Sequence, residues 1–160
     1  VRLPFDYRGI SCFVTICSDR DRCTFAKITD GKVLLKPIGR IIEEEWLQTQ
    51  TIRPDVILDE YQIMPNHFHL VVYVPEAPEI TVRKGREFVR PPRSVSSLLG
   101  QFKAGVTRRV REWLRNSEYE VWQRGFYDRV IRNEEELERT RAYIRDNPIN
   151  WATDPRNPRK

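Results

Sequence analysis

The chain has 160 residues, enough for one domain, and 39% of them are hydrophobic, including the Trp, Tyr and Phe side chains that can fill one core. No apolar run reaches the roughly 20 residues that span a bilayer, and no signal-peptide pattern opens the sequence, so we expect neither a membrane nor a secreted protein. The net charge is +5, and the three cysteines (Cys12, Cys17 and Cys23) fit no zinc-ligand spacing, which favours a protein of the reducing cytoplasm over a disulfide scaffold.

The first part of the chain predicts a strand followed by a helix. Residues 11–17 are rich in β-branched and aromatic side chains, which favours a strand, and the polar run 18–22 ends it. Beyond Pro37 the apolar residues recur every three or four positions, the spacing of an amphipathic helix that continues to about Gln50.

Two apolar runs in the middle of the chain predict an antiparallel strand pair. They cover residues 56–64 and 68–74 and are separated by a turn-forming Pro-Asn pair at 65–66. The next segment, residues 75–93, combines prolines and mixed charges without periodicity, so we expect a flexible basic insertion there.

The last part predicts a helix, a strand and a second helix. Ser94 can cap a helix with an apolar stripe over residues 95–114, and residues 126–132 alternate as a strand does. Asn133 can cap a last helix that runs to about Asn147.

The predicted order is therefore strand, helix, strand, strand, helix, strand, helix. This is the βαββαβ pattern of a ferredoxin-like α+β sandwich with an antiparallel sheet, followed by one extra C-terminal helix. We expect a single domain over residues 1–160, with an irregular tail at 150–160.

The sharpest motif is a pair of histidines, His67 and His69, which are the two histidines of the chain. Alternate side chains of a strand point to opposite faces, so both imidazoles share one face while Phe68 and Leu70 point into the core. Two neutral imidazoles at this separation can bind one divalent ion. Two surface histidines on an exposed strand would give the same pattern, so the motif alone leaves metal binding open.

The last helix presents a tyrosine away from its apolar stripe. Leu137 and Ile144 form that stripe, whereas Tyr143 is rotated roughly 120° from Leu137. Asn147 lies one turn beyond Tyr143, so a phenol and an amide oxygen share a face. A half-buried tyrosine that packs against the sheet edge is the alternative interpretation.

Together these motifs resemble those of the single-tyrosine HUH transposases, and specifically of their REP-associated tyrosine transposase branch. The matching segments follow the order of the family along almost the whole chain: residues 13–17, 64–72, 122–128, 130–132 and 143–148. The resemblance implies an HUH domain that nicks single-stranded DNA near hairpins, in DNA transposition or in the mobility of REP elements.

The resemblance also implies roles for four residues. His67 and His69 would bind Mg²⁺ or Mn²⁺, and Tyr143 would be the nucleophile. The third metal ligand would be Asn147, at a position where the wider family often has Gln. Related transposases work as dimers, whereas REP-associated members can act as monomers, so a homodimer stays open.

The implied chemistry follows from these residue types. Tyr143 would attack the scissile phosphate, displace a 3′-hydroxyl and leave a 5′-phosphotyrosine link. A free phenol has a pKa of about 10, so it needs help at neutral pH, which a metal ion can supply by polarising the phosphate oxygens. Because the link conserves bond energy, a free 3′-hydroxyl can reverse it and rejoin the strands.

Two other residues compete for these roles. Tyr127, in the predicted strand 126–132, is the rival nucleophile, although we expect it to be structural or to contact DNA. Glu60 lies seven residues before His67 and is a further candidate metal ligand.

The positive charge of the chain is concentrated in one block. Residues 83–115 carry ten Lys and Arg against two acidic residues, whereas residues 1–82 and 116–160 have net charges of −3 and 0. Such a block favours a polyanionic partner such as single-stranded or hairpin DNA, although a solvated basic helix has the same composition. The candidate DNA contacts in this block are Arg83, Lys84, Arg86, Arg90, Arg93, Lys103, Arg108, Arg109 and Arg111.

Two further functions stay open at this point. The chain could be a ferredoxin-like nucleic-acid-binding module that has lost catalysis. It could also be a metal-dependent phosphodiesterase in which water, rather than Tyr143, attacks the phosphate. A covalent DNA adduct that requires Tyr143 would distinguish the transposase from both.

Overall fold

The computed structural model describes residues 9–75 and 94–159, so most of the predicted basic insertion at 75–93 lies outside the described residues. Six strands and three helices occupy the described ranges. They are β1 (Gly9–Cys17), β2 (Ala26–Thr29), β3 (Lys32–Leu35), α1 (Pro37–Ile52), β4 (Ile57–Ile63), β5 (His67–Pro75), α2 (Val95–Leu114), β6 (Tyr127–Val130) and α3 (Glu134–Asp146). Of the helices in these ranges, none combines the length and the apolar character that crossing a membrane requires.

The central sheet has the strand order β4-β5-β1-β6, and each neighbouring pair is antiparallel. The two middle strands, β1 and β5, pair along their whole length, from Gly9 opposite Pro75 to Cys17 opposite His67. This order and these directions are those of a ferredoxin-like βαββαβ sandwich, so the predicted α+β fold is confirmed.

One short hairpin, β2–β3, is absent from the predicted element order. It turns at Asp30 and Gly31, which both have positive φ, at 50° and 69°. An Asp-Gly pair suits a two-residue hairpin turn of this conformation, because glycine and aspartate tolerate positive φ better than most residues. The sequence therefore contains the signal for this hairpin.

The other predicted elements are present, with small shifts at their ends. Helix α1 continues to Ile52, two residues beyond the predicted end. Strand β6 is shorter than the predicted 126–132, because the N–H of Arg132 donates instead to the Glu136 carboxylate at the start of α3 (2.8 Å). Both predicted helix caps are confirmed: Ser94 accepts a hydrogen bond at the start of α2, and Asn133 accepts one from the Glu136 N–H (2.9 Å).

One face of the sheet is covered by α1 and α2 and holds the larger core. At its centre, the ring of Phe68 lies 5.8 Å from the rings of Trp46 (α1) and Phe102 (α2), measured between centroids. The buried strand residues on this face are Cys12, Val14, Ile16, Ile63, Phe68, Leu70, Val72 and Val74.

The opposite face is only partly apolar. At one end, Leu137 and Ile144 of α3 pack against Val71, Tyr73 and Ile131. Arg141 further attaches α3 to the sheet, because its Nε donates to the Asp59 carboxylate of β4 (2.7 Å). The other end of this face is polar, and the histidine pair lies there.

Candidate active site

The two histidines lie at the start of β5, on the face that α3 partly covers. Their rings are 4.5 Å apart between centroids, and both side chains are buried, with 0% and 3% of the surface of His67 and His69 exposed. Their cross-strand partners on β1 are Cys17 and Thr15. The histidines are therefore not surface side chains on an exposed strand.

A hydrogen bond to Asn66, the residue before β5, fixes the tautomer of His67. Nδ1 of His67 lies 2.8 Å from Oδ1 of Asn66. The amide nitrogen of Asn66 donates to the backbone carbonyls of Arg156 (2.8 Å) and Asp21 (3.3 Å), which identifies Oδ1 as the atom that faces His67. Since a carbonyl oxygen can only accept, His67 donates from Nδ1 and keeps a lone pair on Nε2.

His69 has a similar polar contact at its own Nδ1, with a residue of β1. Its Nδ1 lies 2.8 Å from the hydroxyl of Thr15 on β1. When this hydroxyl accepts, His69 also keeps its lone pair on Nε2. Contacts of this kind are the usual means by which proteins orient metal-binding histidines.

Burial keeps both imidazoles neutral. Burial, reinforced by the nearby charge of Arg156, lowers the pKa of His69 to about 3. Burial, together with His69 and Arg156, also holds the pKa of His67 well below its ordinary value. Both histidines are therefore in the deprotonated form that binds metal ions.

Asn147 completes a set of three unpaired acceptor atoms. It is buried at the end of α3, and its proximity to His67 only partly offsets the lowering of the His67 pKa. Within the described residues, Nε2 of His67, Nε2 of His69 and Oδ1 of Asn147 are nevertheless buried without a hydrogen bond of standard geometry. Two imidazole nitrogens and an amide oxygen form a donor set that suits several divalent metal ions.

Other side chains contribute little to a metal site at this position. Residues 9–75 and 94–159 contain no group of three or more His, Cys, Asp and Glu that could hold a metal ion, so Asn147 is the candidate third ligand at the histidine pair. Glu60, the other candidate ligand, lies 3.3 Å from a guanidinium nitrogen of Arg145 on α3.

Tyr143 lies beside the histidine pair, on the same face of the sheet. Its ring centroid is 5.5 Å from that of His69 and 6.0 Å from that of Phe13 on β1. The side chain is 51% exposed, in contrast to the buried Leu137 and Ile144 on the apolar stripe of α3. The structure thus brings together the candidate nucleophile and the candidate metal ligands, which are far apart in the sequence.

The rival tyrosine lines the same cleft as Tyr143. This cleft has a volume of about 410 Å³ and runs between β6 and α3. Tyr127 is 62% exposed, and its ring is covered by the guanidinium of Arg156 at 5.3 Å. No contact between the ring of Tyr127 and either histidine ring occurs among the described residues, so Tyr143 is the tyrosine next to the pair.

Three residues of the site, Asn66, Thr15 and Arg156, are not predicted from the sequence. Asn66 is predicted only as a turn residue, and the contact of Thr15 depends on the β1–β5 register. Arg156 lies in the tail predicted to be irregular; this tail contains a 3₁₀ turn at Trp151–Thr153, and the Trp151 ring lies 6.1 Å from that of His67. The tail therefore folds back over the site.

The candidate DNA contacts of the basic block fall into two groups. Arg83, Lys84, Arg86, Arg90 and Arg93 lie outside the described residues. On α2, Lys103 donates to two backbone carbonyls (2.7 and 3.1 Å), Arg111 donates to another (2.9 Å), and Arg108 pairs with a glutamate of its own helix (3.3 Å). Arg109 pairs with two glutamates of α1. These four cations all have partners within the protein.

The structure is similar in fold to two solved transposase structures. A REP-associated tyrosine transposase bound to a REP hairpin superposes with a TM-score of 0.62 and 19% identity, over 89% of this chain and 68% of that one. A transposase candidate from Deinococcus radiodurans R1 gives a TM-score of 0.51 and 11% identity, over 85% of this chain and 88% of that one. At these identities the similarity shows a shared fold.

Sequence comparison gives a nearer relative. No protein-family model matches the chain. An uncharacterized protein of Haemophilus influenzae is 33% identical over 150 residues, which cover 89% of this chain and 82% of the relative. The chain therefore belongs to the same protein family as this H. influenzae protein.

Proposed function

We propose that the protein is a transposase of the single-tyrosine HUH type, in the REP-associated branch, that nicks and rejoins single-stranded or hairpin DNA. The observation that carries this proposal is the juxtaposition of three buried, unpaired acceptor atoms with the exposed Tyr143. The fold supports the class of substrate, because the similar REP-associated transposase is bound to a REP hairpin.

The candidate ligands fit a divalent metal ion. Nε2 of His67, Nε2 of His69 and Oδ1 of Asn147 are acceptors that lack a donor, and their burial would be costly unless a cation or another donor reached them. These three residues would hold Mg²⁺ or Mn²⁺. When bound, the ion would supply positive charge that polarises the phosphate and stabilises the charge of the transition state.

The proposed step is a transesterification. The phenol oxygen of Tyr143 attacks the phosphorus and loses its proton to solvent. The bond between phosphorus and the 3′-oxygen breaks, and its electron pair remains on that oxygen, which takes up a proton. One phosphoester replaces another, so attack by a free 3′-hydroxyl reverses the step without ATP.

A covalent-adduct assay tests the proposal. A single strand with a hairpin and a label at its 3′ end is incubated with the protein and Mn²⁺, and the products are separated on a denaturing gel. We expect a labelled protein–DNA adduct that is lost in Tyr143→Phe and kept in Tyr127→Phe, the matched control from the same cleft.

Each other outcome contradicts the proposal in a different way. If the adduct is lost in Tyr127→Phe and kept in Tyr143→Phe, the nucleophile is Tyr127 and not Tyr143. Metal-dependent cleavage without an adduct would indicate a phosphodiesterase that uses water. Tight binding without cleavage would indicate a nucleic-acid-binding module.

A further inference from the structure

The C-terminal segment places a positive charge beside the histidine pair. Nη1 of Arg156 donates to Sγ of Cys17 (3.3 Å), and Cys17 is the cross-strand partner of His67. The carbonyl of Arg156 accepts from Asn66, the residue that orients His67. The Arg156 guanidinium is thus held at the strand partner of His67, and its backbone carbonyl is held at the residue that orients this histidine.

The guanidinium of Arg156 has no ion-pair partner in the described part of the chain. No carboxylate within residues 9–75 and 94–159 forms an ion pair with Arg156, in contrast to Arg109 and Arg141. Burial raises the pKa of the Cys17 thiol, so the sulfur is uncharged at neutral pH. Tyr127 offers the face of its ring, which attracts a cation without cancelling its charge.

Arg156 and Tyr143 lie toward opposite ends of the histidine pair. Tyr143 contacts Phe13 on β1, whereas Arg156 contacts Cys17, four residues further along the same strand. Four strand residues span about 13 Å, and Thr15, the partner of His69, lies between them. Tyr143 therefore contacts the histidine pair on the side of His69, whereas Arg156 contacts the strand partner of His67.

A metal ion at the histidines and the Arg156 guanidinium would repel each other, and an anion that contacts both would offset this repulsion. A guanidinium presents several N–H groups in a planar arrangement that matches phosphate oxygens. We propose that Arg156 is a phosphate-binding residue of this site and that its guanidinium contacts a nonbridging oxygen of the phosphodiester that Tyr143 attacks. This inference rests on the proposed function of the site.

The first test measures DNA binding as a function of salt. Arg156→Gln and Arg156→Lys are made in a Tyr143→Phe background, so that binding is measured without cleavage. The control is Arg159→Gln, which removes an exposed arginine of the same segment. The probe is a fluorescent single strand that contains a hairpin.

We expect Arg156→Gln to weaken binding and to reduce the slope of log affinity against log salt by about 0.7, the value for one contact to a single-strand phosphate. Arg156→Lys keeps the charge and therefore the slope, and Arg159→Gln leaves the slope unchanged. With Tyr143 restored, Arg156→Gln slows adduct formation by about 10²-fold, as for removal of one preorganised donor. An unchanged slope in Arg156→Gln would overturn the inference.

The second test measures the binding of Mn²⁺ alone, by calorimetry. Removal of a neighbouring positive charge should leave the affinity of Arg156→Gln for Mn²⁺ unchanged or increase it. If Arg156 merely anchors the tail, the variant instead binds Mn²⁺ more weakly, and Arg156→Lys does not restore the affinity; this result overturns the inference.

The two proposals fail in distinguishable ways. If the protein with Tyr143 forms the adduct and Arg156→Gln does not change the salt slope, only the role of Arg156 is wrong. If the protein neither binds the single strand nor forms the adduct, the proposed function fails, and the role of Arg156 fails with it.

Discussion

The two faces of the central sheet use the same strands in different ways. On the face under α1 and α2, Phe68 of β5 is enclosed by aromatic rings. On the other face, its neighbours His67 and His69 carry acceptor atoms without partners in the described structure. Because strand residues alternate, the core that holds Phe68 also fixes the backbone of both histidines. The stabilising face therefore makes the candidate active face rigid.

The arginines of α2 and of the C-terminal tail also differ in the partners of their side chains. Arg109 on α2 pairs with two glutamates of α1, which joins the two helices of the larger core. Arg156 has the thiol of Cys17 and the ring of Tyr127 as its side-chain contacts. The richest positive composition lies in residues 83–115, yet Arg156, whose charge contributes to the lowered pKa of both histidines, lies in the charge-balanced C-terminal part.

Substitution of the adjacent residues Phe68 and His69 should show the largest difference between the two faces of the sheet. Phe68→Ala leaves a cavity in the larger core, so we expect a loss of about 3–5 kcal/mol in the free energy of unfolding. His69→Ala should keep the fold and instead lose Mn²⁺ binding. Urea unfolding and calorimetric Mn²⁺ titration measure the two effects. A stable Phe68→Ala, or an unchanged Mn²⁺ affinity in His69→Ala, would contradict this division.

The metal-free protein should lose stability as the pH falls. Burial lowers the pKa of both histidines in the folded state, whereas in the unfolded chain each titrates near pH 6.5. Below that pH the histidines bind protons in the unfolded state but not in the folded state. The histidines therefore contribute their full amount to the free energy of unfolding above about pH 6.5, and this contribution decreases as the pH falls toward the folded pKa values. Between pH 7 and pH 5 we expect a loss of about 2 kcal/mol from His69, and a further loss in the same direction from His67.

Urea unfolding at the two pH values measures this loss. The control is the double variant His67→Gln/His69→Gln, which retains the other titrating groups and should show a weaker pH dependence. Identical pH dependence in the variant and the unaltered protein would show that the histidines are not buried in their neutral form.

Asn66 should affect metal binding without belonging to the ligand set. Its Oδ1 fixes the His67 tautomer, so Asn66→Ala should weaken Mn²⁺ binding by about 10–100-fold, as removal of a residue that orients a metal ligand usually does. Asn66→Asp keeps an acceptor at Oδ1 but loses the amide donor to the carbonyls of Arg156 and Asp21, so its affinity should lie between those of Asn66→Ala and the unaltered protein. Equal Mn²⁺ affinity in Asn66→Ala and the unaltered protein would remove Asn66 from the site.

The smallest effect is expected on α2. Arg108 is exposed and paired only within its helix, so Arg108→Glu should leave the melting temperature almost unchanged. If α2 binds DNA, this variant weakens hairpin binding and reduces the salt slope by about 0.7 for each phosphate that the helix no longer neutralises. An unchanged slope would exclude this surface. Arg109→Glu is a poorer probe of DNA binding, because it would bring a third carboxylate to Glu44 and Glu45 and disturb the packing of α1 against α2.

Local signals in the sequence predict the fold well. The caps at Ser94 and Asn133, the alternation around Phe68 and the stripe of α3 each depend on neighbouring residues, and the structure contains each of them. The β2–β3 hairpin has an equally local signal in Asp30-Gly31, and it could have been predicted from that pair.

The contacts of the site depend on long-range geometry instead. The partnership of Thr15 with His69 requires the register of β1 against β5, and the position of Arg156 requires the path of the tail across the sheet. The spacing of residues along the chain predicts neither the Thr15–His69 contact nor the position of Arg156. The sequence motifs therefore predict the candidate ligands and the nucleophile, whereas the residues that orient and surround them emerge only from the structure.

In the proposed active site, His67, His69 and Asn147 converge on one metal ion beside Tyr143. The most direct test is a crystal of the protein soaked in Mn²⁺, with diffraction data collected to reveal the anomalous signal of the ion. We expect one strong peak at coordination distance from Nε2 of both histidines and Oδ1 of Asn147, on the side of the sheet where Tyr143 lies. A histidine pair without a peak, in a crystal that binds Mn²⁺ elsewhere, would contradict the account.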